Sequence, residues 1–326
     1  MHKALVILAA ILFATPAVAG DCDPLPIVSV AMRTDSEGGA YVPMTVSGRT
    51  VNMLLDTMSI DSMLTRATVQ ELGLSPVSLG NDYLVMFGGE KITHYATAHG
   101  IEFGGLKTPS MNFLVMPDGR MPPDIHGTFA PDILRAYDDE LDFAGNRLTL
   151  YSPMHCPGVP ARWTNAPVAA IDFVFDDDDH IALPVDLDGK NMLPRLDTGA
   201  SRTIMSLEAA AEVFEFDSSS PLLTSGTDPD LGGRVYHYPF RSLSFGGIRI
   251  DNPDIVLVPD AQSGFPGGRR FVMGMNILRK LHLYIAYREK KLYVGRAASA
   301  PLSASPISPP SRAAAGSGQA GQSPNR

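Results

Sequence analysis

A strand-turn-strand pattern that ends in Leu-Asp-Thr occurs twice in this 326-residue chain, 141 positions apart. Val42-Pro43-Met44-Thr45-Val46-Ser47-Gly48 runs on to Leu55-Asp56-Thr57-Met58-Ser59. Leu183-Pro184-Val185-Asp186-Leu187-Asp188-Gly189 runs on to Leu196-Asp197-Thr198-Gly199-Ala200-Ser201. Apolar residues alternate with small or polar ones up to a Ser-Gly or Asp-Gly pair, which predicts a hairpin whose second strand delivers the Asp. Further matches follow at nearly constant offset: Phe103-Gly104-Gly105 with Phe245-Gly246-Gly247, Met116-Pro117-Asp118 with Val258-Pro259-Asp260, and Leu134-Arg135 with Leu278-Arg279. A period this long exceeds any solenoid repeat and is the length of a small domain. The repeat therefore predicts two homologous lobes, each carrying one Asp at the same place.

Local signals within each lobe agree. Nine residues after each Asp stands a helix-capping hydroxyl, Thr65 or Ser206, followed by helix formers. Strands are expected at Asp82–Phe87, Thr93–Glu102, Met111–Met116 and Arg147–Leu150, with equivalents at Arg234–Phe245, Asp254–Val258 and Leu281–Val294. The expected fold is mainly β with one or two short helices per lobe. The segments divide as a signal peptide at 1–19, an N-terminal lobe at 20–155, an interlobe linker at 156–170, a C-terminal lobe at 171–296 and a disordered Ala/Pro/Ser/Gly tail at 297–326.

Lys3, the apolar run from Ala4 to Phe13 and Ala17-Val18-Ala19 read as a secretory signal with its cleavage site. No later stretch reaches the roughly 20 apolar residues of a spanning helix, so an exported chain, periplasmic or secreted, is expected. The two cysteines, Cys22 and Cys156, are an even pair in an oxidising compartment, which favours a disulfide over two free thiols. A net charge of −9 argues against nucleic acid or an anionic membrane surface as partner. The acidic run Asp176–Asp179 reads as a solvated turn, because it lacks the spaced ligands and turn glycine of a calcium loop. The eight histidines include no i, i+4 zinc pair, and neither a Gly-x-Ser-x-Gly elbow nor a glycine-rich phosphate loop is present. No metal and no cofactor are expected.

Two carboxylates brought face to face cannot both ionise easily, so they share a proton and act as one acid and one base. Such a pair draws a proton from a water while polarising a carbonyl, and hydrolyses an amide with no covalent intermediate. The neighbours have assignable tasks. Thr57 and Thr198 carry hydroxyls able to bond across the lobes, and Gly199 permits close backbone approach. The Ser59 hydroxyl is placed to bond its own carboxylate, where Ala200 cannot.

These residues carry a family resemblance. The Leu196–Ser201 segment, after its Pro-containing strand and Asp-Gly turn and before a short helix, resembles the retropepsin-like branch of the aspartic proteases. Val272-Met273-Gly274 before Met275-Asn276-Ile277-Leu278, and Thr128-Phe129-Ala130 before Pro131-Asp132-Ile133-Leu134, are similar to that family's second conserved element. The resemblance covers roughly Ala40 to Val294. It implies two retropepsin-like β-barrel lobes in a bilobal, pepsin-like arrangement, catalysis by Asp56 and Asp197, and a cleft for a polypeptide substrate or peptide ligand covered by hairpin flaps. Flap candidates are the turns at Gly88-Gly89 and Gly232-Gly233, for which plain surface turns are the alternative. Met58 stands where the family has Gly, and Ala130 where the second lobe has Gly274. The Met58 side chain either crowds the water and substrate or points into its lobe core. The main expectation is a monomeric endopeptidase. The alternatives are a peptide-binding pseudoprotease and a homodimer that pairs Asp197 from two chains.

Overall fold

The computed structural model describes residues 22–36, 38–86, 89–117, 119, 121–156, 168–263 and 271–296. Residues 1–19, expected as a signal peptide, residues 297–326, expected as a tail, most of the expected linker, and Gly88 lie outside the described residues.

The chain is mainly β, and its two halves repeat one topology. In the first half Ala40–Val46 and Arg49–Leu55 form an antiparallel hairpin. Its turn residues Ser47 and Gly48 both take positive φ, 51° and 79°. Asp188 and Gly189 do the same at 49° and 84°, between Val185–Leu187 and Lys190–Met192. A two-residue turn with both φ values positive matches the right-handed twist of its strands, which is why Ser-Gly and Asp-Gly mark these corners. Val42, Met44 and Val46 face the core while Pro43 points out, the period of two expected of a half-buried strand.

Each half then threads a short strand through its centre. Gly127–Phe129 lies parallel to Arg49–Leu55 and antiparallel to Met63–Thr65. Phe271–Met273 lies likewise between Arg195–Leu196 and Thr203–Ser206. Both expected helices form. Arg66–Glu71 is capped by the Thr65 hydroxyl, which accepts from the Thr68 N–H at 3.2 Å, and Leu207–Phe214 by Ser206, which accepts from Ala209 at 3.0 Å.

Three expected strands differ, and the one expected at Leu281–Val294 folds back as a hairpin of Leu281–Ala286 and Lys291–Arg296. In the first half His94–Phe103 runs unbroken and pairs with Leu106–Met116, Pro76–Ser78 and Ala40–Val46, closing the sheet on itself. Its counterpart, expected from Arg234 to Phe245, breaks into Gly233–His237 and Ser242–Phe245. Pro239 lies in the gap and has no N–H for a ladder. The second half is accordingly divided between an eight-stranded and a four-stranded sheet. Among the described residues of the strand expected at Asp82–Phe87, only Leu84–Val85 forms, paired with Lys91–Ile92, and Phe87 lies outside the described residues.

A six-stranded antiparallel sheet joins the halves: Pro26–Ala31, Arg147–Tyr151 and Asp138–Asp142 from the first, Leu281–Ala286, Lys291–Arg296 and Ala169–Asp172 from the second. The seam pairs Leu141 with Leu283, and a single apolar core runs from Val28 and Leu148 to Ile285 and Val294. Cys22 and Cys156 form a disulfide just beyond the pairing of Pro26–Ala31 with Arg147–Tyr151, closing a loop of 134 residues. Opening it as Cys22→Ser/Cys156→Ser should cost about 3–5 kcal/mol through the freed denatured chain. Thermal unfolding should then fall by roughly 10 °C; a midpoint equal to that of the oxidised protein would show that the edge strand holds without its staple.

Candidate active site

The two parallel pairings bring the strand ends at Leu55 and Leu196 to equivalent places, and the loops that follow meet. Each Asp is fixed by its own backbone. The Asp56 N–H donates to the Phe129 carbonyl and the Asp197 N–H to the Met273 carbonyl, both at 3.0 Å. Asp56 Oδ1 accepts from the N–H groups of Met58 (3.0 Å) and Ser59 (2.8 Å). Asp197 Oδ1 accepts from Gly199 (2.7 Å) and Ala200 (3.1 Å).

Between the carboxylates the two threonines interlock. The Thr57 N–H donates to Thr198 Oγ1 and the Thr198 N–H to Thr57 Oγ1, each at 3.1 Å. Thr57 Oγ1 donates to the Leu196 carbonyl (2.9 Å) and Thr198 Oγ1 to the Leu55 carbonyl (2.8 Å). Both residues are buried. A hydroxyl that donates once and accepts once, on a β-branched residue with few rotamers, suits this ring, and Ser could supply the bonds only with more freedom.

The carboxyls are drawn away from ordinary titration. Burial raises the proton affinity of Asp56, against its two N–H donors. Burial, and then the nearby Asp56 charge, push Asp197 up to about 8. An α-carbon contact explains the glycine: a Cβ on Gly199 would stand 2.6 Å from Asp56 Cγ and 2.8 Å from each carboxylate oxygen. No side chain fits there without displacing the acid.

Met58 does not point into the core of its own lobe. Its N–H keeps the bond to Asp56 that Gly199 makes to Asp197, while its side chain leaves the first half and packs on Ile204, Val235, Val256, Val258 and Val272 of the second, beside Ala200 and Leu231. Ser59 also departs from expectation: its backbone N–H, not its hydroxyl, meets Asp56, and the hydroxyl donates to the Asp61 carbonyl at 2.9 Å. Ser201 is exposed and contributes its carbonyl to the Asn276 N–H.

A supporting pair of hydrogen bonds was not read from the sequence. Ser62 Oγ donates to Asp132 Oδ1 (2.7 Å) and accepts from the Ala130 N–H (3.1 Å). Thr203 Oγ1 donates to Asn276 Oδ1 (2.7 Å) and accepts from the Gly274 N–H (3.1 Å). Each ties the active loop to the strand threaded behind it. A Cβ on Gly274 would fall 2.2 Å from the Arg202 carbonyl oxygen. At the matching place in the first half the Asp61 carbonyl accepts from Ser59, and Ala130 fits, fully buried.

The two flap candidates are unequally held. Gly89 bends the tip of the hairpin formed by Leu84–Val85 and Lys91–Ile92, and a Cβ there would meet nothing within 4 Å. Leu84, Met86 and Ile92 rest this hairpin on Met63, Leu114 and Met116. Gly232 and Gly233 turn the hairpin Thr224–Asp228 to Gly233–His237, but Gln262 Nε2 donates to the Leu231 (2.7 Å) and Arg234 (3.0 Å) carbonyls, and Arg202 pairs with the buried Asp228 at 3.0 Å. The second hairpin is therefore pinned to the site.

The acidic run is more than a solvated turn. Asp176 Oδ1 accepts the Asp178 and His180 N–H groups, and Arg195 forms ion pairs with Asp176 and with Asp178 (3.1 Å). Asp176, Asp178 and His180 place possible ligand atoms within 4.8 Å of one another, and the Arg195 guanidinium already supplies the positive charge.

Duplicated halves, a strand threaded through each and a reciprocal Asp-Thr junction define an aspartyl-protease-like fold. Residues 42–128, which include Asp56, match the aspartyl protease family model. Among solved structures, basic 7S globulin from soybean aligns at 7% identity and a TM-score of 0.49, over 84% of this chain and 97% of that one. No curated protein matches the sequence.

Proposed function

We propose that this chain is an exported aspartic endopeptidase that acts as a monomer on polypeptide substrates, with Asp56 and Asp197 as its catalytic pair. The observation that carries the reading is the Thr57–Thr198 junction, which joins the two Asp loops within one chain and leaves both carboxyls with raised proton affinity, Asp197 under the influence of the nearby Asp56. A dyad built within one chain has no need of Asp197 from a second copy. The signal-like leader and the disulfide support export to the periplasm or beyond. Among the described residues no helix is long and apolar enough to cross a membrane.

In this reading the pair holds one proton. The ionised carboxylate takes a proton from a water as its oxygen bonds to the scissile carbonyl carbon, and the protonated partner gives its proton to the carbonyl oxygen. Collapse of the tetrahedral species breaks the C–N bond as a proton passes to the leaving amine. The titration belongs to the pair, so neither step is assigned to one Asp. Because both groups are shifted upward, the singly protonated state extends toward neutral pH. Peptide hydrolysis by the purified mature protein should persist from acid to neutral pH and decline as pH rises through about 8. Activity that climbs through that range would rule out the dyad. A peptide-binding protein in which Met58 has abolished the chemistry would bind the same peptides and release no fragments.

A further inference from the structure

A peptide laid in extended form across the two Asp loops sends successive side chains to opposite sides, so the residues flanking the scissile bond face the walls beside the loops. On the second-half side that wall is apolar, made by Ile204, Val235, Val256, Val258 and Val272. Two side chains lie on it. Leu231 comes from the hairpin pinned by Gln262 and by the Arg202–Asp228 pair, and Met58 comes from the opposite half's Asp loop. The matching position in the other loop is Gly199, which sends no side chain anywhere because Asp56 lies against its α-carbon. The repeat is therefore broken at one atom set: the first loop fills the second half's wall, and the second loop fills nothing.

We propose that Met58 is the specificity-determining residue of this site: its side chain occupies the apolar recess of the second half that would otherwise seat a substrate side chain beside the scissile bond, restricting that position to small residues such as Gly, Ala or Ser. The inference rests on the peptidase reading. It explains how Met replaces Gly with the loop intact, since the backbone bond to Asp56 survives at 3.0 Å while the unbranched thioether chain finds apolar contact elsewhere. Shortening Met58 leaves the wall and its pinned hairpin in place and uncovers the recess.

The test uses peptides identical except for Ala, Leu or Phe at each of the two positions flanking the cleaved bond, with uncleavable hydroxyl-bearing isosteres of the same sequences. The mature wild-type protein, Met58→Gly, Met58→Ala and Leu231→Ala are compared. Wild type should favour Ala at one of the two positions. Met58→Gly should raise the Leu-to-Ala and Phe-to-Ala ratios of kcat/KM there by about 10- to 200-fold, the scale of a pocket gained or lost, with the larger part in KM. Met58→Ala and Leu231→Ala should move the ratios the same way by less, which guards against one poorly folding variant. Ratios unchanged in all three variants while wild type cleaves would overturn the recess and leave the peptidase reading standing. Isostere affinities that shift as described without any cleavage would sustain the recess and overturn the peptidase reading. Absence of both cleavage and isostere binding would overturn the two together.

Discussion

Asn in place of Asp197 should leave peptide cleavage at background, a loss of about four orders of magnitude or more in kcat/KM, the scale on which members of a catalytic unit fail when removed singly. The substitution preserves shape, and its Oδ1 retains the Gly199 and Ala200 N–H donors at 2.7 and 3.1 Å. What it removes is the exchangeable proton. Stability should move the other way. The folded Asp197 holds its proton far above its ordinary value of 3.8, so its contribution is complete below that value and is lost as pH rises through about 8. An Asn has no charge to bury, and the variant should unfold at a temperature equal to or above that of the native protein near neutral pH. Asp56→Asn should behave alike, since burial raises that group too. An inactive, undestabilised pair of variants would mark the carboxyls as functional and not structural. Cleavage that survives either substitution undiminished would remove the dyad from the mechanism.

The sequence exposes the parts of this site that are duplicated and hides those that are not. Asp56 and Asp197, their threonines and the Ser-Gly and Asp-Gly corners recur at one offset, so the repeat alone predicts that they meet. The Ser62–Asp132 and Thr203–Asn276 bonds obey the same symmetry but are hidden in the sequence for chemical reasons. A hydroxyl six residues after each Asp and a polar residue two after Ala130 or Gly274 are visible signals, but Ser with Asp and Thr with Asn do not look alike. Met58 was legible as a departure and not as a direction. Which apolar wall receives it depends on the distance between halves, a property of the six-stranded seam and not of the loop. The break near Pro239 is equally open to reading, since a proline within an expected ladder marks an interruption. Ser59 shows a subtler failure, because its hydroxyl has a nearer acceptor in the Asp61 carbonyl.

The second large effect concerns the junction itself. Thr198→Val keeps the branched shape and deletes the hydroxyl, leaving the Thr57 N–H and the Leu55 carbonyl without their partners in a buried place. Each unpaired group costs about 1–3 kcal/mol, so global stability should fall by about 2–6 kcal/mol. The loops should also lose their mutual register, and a displacement of about 1 Å is enough to lower turnover about a hundredfold. Thr57→Val is the mirror experiment and should match it in size, because Thr57 Oγ1 accepts from the Thr198 N–H and donates to Leu196 in the same geometry. The double variant should cost less than the sum of the two: once one hydroxyl is gone the ring is open, and the second has less left to lose. Thr198→Ser returns the donor and acceptor without the methyl and should recover most of the stability, which separates hydrogen bonding from packing. Thr198→Val with a native unfolding midpoint and native kcat would mean that the loops are held in register by the strands behind them, through Asp56 to Phe129 and Asp197 to Met273, with the hydroxyls as passengers.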